Sequence, residues 1–444
     1  MILSVYHAIS YPGLVIYRIL LWLALPVVLL RLWWRGRRDA TYRPRWQERF
    51  GFYSGSLAQG TVWFHTVSAG ETIAAAPTIR AMTAEQGPVL VTTMTPTGSE
   101  RVASLLGDTV AHCYAPYDFT FAVRRFLTQA NPRVLILMET EIWPNLILEA
   151  KARGIPVMLV NARLSEKSAR GYQRFRWLSR RVLECFDLIA CQTSEHAQRF
   201  IDLGVDAKRV QTVGNVKYDL DLPTDVEARA AEWAQAPRRY WIAASTHPGE
   251  EELVLQAHFA ALESDPSLTL LLAPRHPNRA AELAILLDRA TQAMPITWCR
   301  YGDWVAQAGP ATSHCRIVLI DEMGVLMPLF RLSEVAFVGG SLVPRGGHNP
   351  IEPASLGTPV ITGPHDFNFA QVYADLMAAR ACQQVNEASL TSVLVALLND
   401  AEARKAMGAA ASEVVASNKG AQQRTQDVIT QVLSGQSLDG LTKR

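Results

Sequence analysis

The chain has 444 residues, too many for one ordinary core, and at 49% hydrophobic and 19% charged it reads as two globular domains. A net charge of +2 argues against a general nucleic-acid binder. The six cysteines (Cys113, Cys185, Cys191, Cys299, Cys315 and Cys382) form neither a CxxC pair nor a metal spacing, and suit a reducing cytoplasm. The first element is an apolar segment, Gly13 to Trp34, wholly apolar from Ile19 to Leu30. Snorkelling of Arg18 and Arg31, with Tyr17, Trp22, Trp33 and Trp34 as interface anchors, would lengthen it enough to span or line a membrane. Eight arginines fall within residues 1–53 against only Asp39 and Glu48, which puts the rest of the chain on the cytoplasmic side. A buried core helix is the competing reading of the segment.

From about residue 60, continuous Val/Leu/Ile runs alternate with helical stretches, the pattern of a buried parallel sheet. Strands are expected at 62–67, 89–95, 110–116, 134–140, 156–162, 187–192 and 210–215. The first ends in Ser68-Ala69-Gly70-Glu71. Glu71 there is either a general base or a partner for the helix dipole. The turn at 95–101 opens another helix, which either holds an anion or is simply well capped. The strand 134–140 ends in Glu139 and Glu141, costly acids after an apolar run. Glu139 is either functional or paired with an arginine, and Glu141 either functional or a helix cap. Arg163, Lys167, Arg170, Arg174 and Arg181 lie close to one face of a predicted helix, either solvated or facing anionic lipid. Lys217, after the last strand, either reaches a phosphate or is a solvated linker charge.

A break near 217–238 precedes a second series of strands at 240–246, 269–275, 296–301, 316–321, 335–340 and 359–364. Their ends carry His247 to Glu250, Pro274 to Pro277, and Asp321 to Val325. The most telling stretch is FVGGSLVPRGGHNPIEPASLGTPVITGP (337–364): strand, glycine turn, helix start, strand. Gly346 and Gly347 let a backbone approach an anion, Asn349 caps a helix, Pro350 suits its first position, and Glu352 comes three residues after the cap. Free amides at such a helix start, with Arg345 and His348, favour a nucleotide or phosphate site over a merely well-capped helix after a flexible loop, while Glu352 is suited to a sugar hydroxyl.

WFHTVSAGE (63–71), TTMTPTGSERV (92–102), METEIWPN (138–145), NARLS (161–165), PRHPNR (274–279) and FVGGSLVPRGGHNPIEP (337–353) together resemble the 3-deoxy-D-manno-octulosonic acid (Kdo) transferases of lipopolysaccharide assembly. The resemblance runs in order along nearly the whole chain. It implies an α/β GT-B glycosyltransferase of two facing, Rossmann-like, doubly wound domains behind an N-terminal membrane-anchor helix. Residues 1–53 would be the anchor and basic juxtamembrane segment, 54–222 the acceptor domain and 223–444 the CMP-Kdo domain. It further implies an inverting enzyme of the inner membrane, without bound metal or cofactor, moving Kdo from CMP-Kdo to the lipid A precursor (lipid IVA) on the cytoplasmic side. Glu71 looks like the base, and Glu139 and Lys217 like transition-state stabilisers. Pro274, Arg275, Met323, Gly324, Val325, Asn349, Pro350, Ile351 and Glu352 look like CMP contacts. Arg163, Arg170 and Arg174 are candidates for acceptor or membrane contact. The family commonly has an acid where this chain has Val325, so only a backbone contact is expected there. A GT-B enzyme with a UDP-sugar donor, a nucleotide-sugar epimerase and a membrane-tethered sugar-nucleotide-binding protein without activity are the alternatives.

Overall fold

All thirteen expected runs form strands, every one paired in parallel. The computed structural model describes residues 12–220, 222–234, 238–292, 295–306 and 315–435. Residues 1–11 of the expected anchor segment and residues 221 and 235–237 of the expected linker lie outside the described residues.

The first sheet holds β1 (Val62–His65), β2 (Val89–Thr93), β3 (Ala111–Tyr114), β4 (Val134–Met138), β5 (Val157–Ala162), β6 (Leu188–Cys191) and β7 (Val210–Thr212) in the order β3-β2-β1-β4-β5-β6-β7. Its strands read as unbroken apolar runs because both faces are covered. Trp63, Leu135 and Leu137 enter one core, while Phe64, Ile136 and Met138 enter the other. The second sheet holds β8 (Tyr240–Thr246), β9 (Thr269–Pro274), β10 (Thr297–Arg300), β11 (Cys315–Leu319), β12 (Ala336–Val338), β13 (Val360–Thr362) and β14 (Cys382–Gln384) in the order β10-β11-β9-β8-β12-β13-β14. β14 escaped the sequence reading: at three residues, with Gln383 and Gln384 exposed, it carries no apolar run.

The chain divides after Asp219, three residues before the expected boundary, but the second domain does not run to the end. From Lys419 the chain returns to the first unit. Val428 and Ile429 of the helix Ala421–Leu433 pack on the first sheet. Asp219 ties the turn by accepting the Gly420 N–H at 2.6 Å.

The apolar N-terminal segment is a helix, Pro12–Arg38, long and apolar enough to cross a membrane. It belongs to the first unit and packs on it along a stripe at three- and four-residue spacing. Leu14 is buried, and Leu21, Leu25 and Leu32 pack around Phe50, Phe119 and Ala122. The opposite side exposes Ile16, Ile19, Leu20, Leu23, Val27 and Leu30. Two expectations change here. Arg18 does not snorkel: its Nε donates to Asn145 Oδ1 at 2.8 Å, with Glu149 at 3.9 Å. Tyr17 is no interface anchor either, since its hydroxyl donates to Asp118 at 2.7 Å. Arg49, counted with the basic segment, is buried and donates to the Met94 carbonyl at 2.9 Å.

Candidate active site

In both sheets the first strand sits between strands wound in opposite directions, β1 between β2 and β4, β8 between β9 and β12. Crevices beyond the carboxyl ends of such strands are where doubly wound folds bind ligands. The predicted site residues gather there.

In the first unit, Ser68 caps the helix Ala69–Gln86 and Glu71 lies in its first turn. The Glu71 carboxylate accepts the Val67 N–H at 2.8 Å and the Ser68 hydroxyl at 2.9 Å. It thus braces the strand-to-helix turn, from the first helical turn in which the dipole reading also places it. Yet burial and the nearby Glu141 and Glu139 carboxylates outweigh those donors, and its pKa is pushed up to about 8. A carboxyl poised near neutrality can both take and return a proton.

Glu139 lies past the end of β4, at the other side of the switch. It is 6% exposed and sits at φ 53°, a left-handed conformation that costs a non-glycine residue about 1–2 kcal/mol. Its N–H bonds to the Val160 carbonyl at 3.0 Å. Two cations clamp its carboxylate, Arg163 Nε at 2.9 Å and Lys217 Nζ at 2.9 Å. The arginine-pairing reading and the grouping with Lys217 therefore both hold geometrically. Glu141 accepts the Trp143 indole N–H at 2.7 Å, and burial raises its pKa. It does not cap the following helix. The Pro144–Ala152 helix is capped from a distance by Asp118, which accepts the Asn145 and Leu146 N–H groups at 2.9 and 2.7 Å. Asp118 gave no signal in the sequence, because its partners lie 27 and 28 residues away.

The expected cationic helix is two, Glu166–Arg174 and Arg176–Leu183, broken at Phe175. Arg163 precedes both and faces Glu139 instead of lipid. Arg170 is exposed and pairs with Glu166 at 2.7 Å. Arg174 is exposed on the same helix.

In the second unit, the loops after β8, β9 and β12 meet. His247 and His348 stack at 5.1 Å with their Nε2 atoms 2.9 Å apart, so one donates and the other accepts. His276 stands edge-on to His247 at 6.0 Å. Burial and the positive field of Arg345 and its neighbours pull His247 down to about 4. Burial and Arg275 pull His348 down to about 3. Both rings are neutral at pH 7 in a field that favours an anion. Glu352 is pushed up by burial, accepts from Asn349 Nδ2 at 3.1 Å and lies within the field of Arg275.

The turn at 340–342, just before the glycine loop, is occupied by the protein itself. The N–H groups of Gly340, Ser341 and Leu342 are taken at 2.8–3.0 Å by Glu250, a fully buried carboxylate that also accepts the His247 N–H. Gly346 and Gly347 have φ of 91° and 70°, and a Cβ on Gly346 would collide with Phe367 and Asn368. Those glycines admit the protein's own chain. The helix there is only Ile351–Ser355, with Asn349 Oδ1 accepting the Ile351 N–H at 3.0 Å and Pro350 at the cap. The positive field at this cluster therefore comes from Arg275 and Arg345, with the neutral imidazoles adding only hydrogen-bonding capacity. Met323, Gly324 and Val325 lie after β11, beside β9. Met323 is 75% exposed and Gly324 has φ 81°, whereas Val325 is 7% exposed and packed among Leu329, Phe330 and Tyr301.

Two parallel, doubly wound units with polar clusters at their switch points define the GT-B fold class. A solved structure of MurG from Acinetobacter baumannii shares that fold at a TM-score of 0.53 and 12% identity, covering 84% of this chain and 99% of that one. The family model 3-Deoxy-D-manno-octulosonic-acid transferase (kdotransferase) matches residues 44–220. A 3-deoxy-D-manno-octulosonic acid transferase of Haemophilus influenzae is 38% identical over 93% of this chain and 97% of its own length. One from Bordetella pertussis is 36% identical over 91% and 96%. The chain belongs to the 3-deoxy-D-manno-octulosonic acid transferase family, glycosyltransferases of lipopolysaccharide synthesis.

Proposed function

We propose that the enzyme transfers Kdo from CMP-Kdo to a hydroxyl of the lipid A precursor, lipid IVA, with inversion and without a metal ion. The first unit takes the acceptor. Glu71 accepts the hydroxyl proton as the acceptor oxygen forms its bond to the anomeric carbon. The bond from that carbon to the phosphate oxygen breaks, and CMP leaves with the electron pair. The transition state is oxocarbenium-like, so positive charge near the departing phosphate and a base at the acceptor divide the work. Glu139 holds Lys217 and Arg163, and this clamp supplies fixed charge. In the second unit, Arg275 and the imidazole pair bind the CMP phosphate, Glu352 and Asn349 meet hydroxyls, and Pro274, Pro350, Ile351 and Met323 to Val325 shape the nucleotide pocket.

The observation that carries this reading is Glu71: nearly buried, at the switch point, with its pKa pushed up to about 8 beside Glu139 and Glu141. The Pro12–Arg38 helix supports attachment to the inner membrane from the cytoplasmic side, with the exposed apolar face in the lipid and Arg31, Arg37 and Arg38 at anionic headgroups. Its length-wise docking on the first unit favours a helix lying in the interface over one crossing the bilayer.

The test is mass spectrometry of lipid IVA incubated with freshly made CMP-Kdo and detergent-purified protein. The wild type should add Kdo, and Glu71→Gln should add none while still binding CMP. Consumption of a UDP-sugar in place of CMP-Kdo would overturn the donor assignment.

A further inference from the structure

An apolar groove of about 360 Å³ runs beside the carboxylate cluster of the first unit. Its walls are Ile142 and Pro144 from the segment after β4, and Gly171, Tyr172, Phe175 and Leu178 from the two helices Glu166–Arg174 and Arg176–Leu183. One end adjoins the proposed reaction centre. Ile142 is next in sequence to Glu141, and the Glu141 carboxylate lies close enough to help raise the pKa of the Tyr172 hydroxyl, an effect led by burial. From the other end apolar surface continues outward. Phe175 and Trp177, both about half exposed, stand edge-on at 6.4 Å. The Trp177 ring packs directly on Gly13 of the N-terminal helix, so closely that no Cβ would fit there. Beyond Gly13 lies the exposed apolar face carrying Ile16, Leu20 and Leu23. Lys167, Arg170 and Arg174 stand exposed on the first of the two helices.

We infer that this groove is the subsite for one acyl chain of the glycolipid acceptor, entering along Trp177 from the membrane-facing helix and ending beside Glu141. The inference rests on the proposed acceptor and deepens it. A phosphorylated, acylated sugar is the molecule whose chemistry fits: hydrocarbon for the groove, anionic groups for Lys167, Arg170 and Arg174, and a hydroxyl for Glu71. A chain held there fixes the sugar at the base, which is how binding energy remote from the reacting atoms becomes orientation. Apolar burial grows with each methylene removed from water, so the site discriminates by chain presence more than by headgroup detail.

Gly171 makes the test clean. It lies within a helix, and a Cβ built on it meets nothing within 4 Å. A side chain can therefore start at this groove-lining position without strain, and Gly171→Leu adds apolar bulk to the groove with better helix propensity. Phe175→Gln, at an exposed position, makes the entrance polar by a second route without adding charge beside Arg174. Equilibrium binding of tetra-acylated lipid IVA in detergent is compared with its fully deacylated sugar phosphate, for wild type and both variants. We expect wild type to bind the acylated form at least tenfold more tightly, and both variants to lose most of that preference while binding the deacylated form unchanged. An acyl preference equal in all three proteins would overturn the inference. So would equal loss of binding to plain phosphatidylglycerol vesicles, which would assign the groove to bulk lipid. The binding readout is independent of turnover. Absence of Kdo transfer with the groove effect intact would sink the proposed reaction and leave the subsite standing.

Discussion

Gly70-Glu71 and Gly249-Glu250 occupy comparable places just past the first strand of each unit at the switch point, Glu71 six residues after β1 and Glu250 four after β8. In each, the glutamate accepts a backbone N–H from just after the strand, Val67 for Glu71 and His247 for Glu250. Burial raises both carboxyls. The difference lies in who else arrives. Glu250 receives three more amides from the β12 loop and is wholly buried, its acceptor capacity filled. Glu71 receives only the Ser68 hydroxyl and faces two further acids, Glu141 and Glu139. One glutamate is the internal tie of a loop; the other keeps a proton in play. The same local motif thus becomes architecture in one unit and, on the proposed mechanism, a reactive group in the other.

That contrast breaks most visibly through stability. Glu250→Gln replaces an acceptor of four amides with a side chain that must donate from one end. We expect a loss on the order of 3 kcal/mol, read as a fall in thermal midpoint or failure to fold. At or below the ordinary carboxyl pKa, Glu71→Gln should melt close to wild type. The two should part further as pH rises: Glu71 is protonated more in the folded than the unfolded state between its ordinary value and about 8. Wild type therefore loses stability relative to Glu71→Gln across that window, and the two converge below it. A Glu250→Gln variant as stable as wild type would erase the distinction.

Lys217→Met tests the clamp on Glu139. It should lower kcat roughly 10–100-fold with little change in KM, since a fixed charge matters most in the transition state. A pure KM effect would move Lys217 to substrate binding. Arg275→Ala should weaken CMP binding about tenfold by calorimetry, the scale of one charge-assisted contact. Unchanged affinity would remove Arg275 from the nucleotide site. The smallest effect is expected at Tyr17→Phe, which deletes one donor to the buried Asp118 and should cost about 1 kcal/mol of stability. No change at all would mean that the N-terminal helix is not held by this bond.

The sheets were legible because parallel strands covered on both faces must be continuous apolar runs, and their length separates them from the helices. β14 was not, having only three residues and exposed glutamines. Glu71, Glu139 and Lys217 were legible as polar residues at strand ends, and the structure brings the last two within 2.9 Å. What stayed hidden was everything set by distant partners. Glu250 is 90 to 92 residues from the turn at 340–342, so nothing local in the sequence shows that this turn's amides are taken. Arg163 reads with the helix that comes after it, yet folds back onto Glu139. Arg18 and Tyr17 sit in an apolar stretch whose polar partners, Asn145 and Asp118, come from more than 100 residues away. The return of the chain after Lys419 to the first unit has the same origin, since the apolar face of Ala421–Leu433 does not announce which sheet it covers.

The most direct test of Glu71 as the proton acceptor is the pH dependence of kcat/KM for the glycolipid acceptor, measured for wild type and Glu71→Gln. At pH 7 a carboxyl with a pKa of about 8 is only about one-tenth ionised, and the ionised form is the base. The wild-type rate should rise about tenfold per pH unit below that value and level off above it, while Glu71→Gln falls by about 10²–10⁴-fold and loses the rise. A rise that persists unchanged in Glu71→Gln, or a variant as active as wild type, would contradict the assignment.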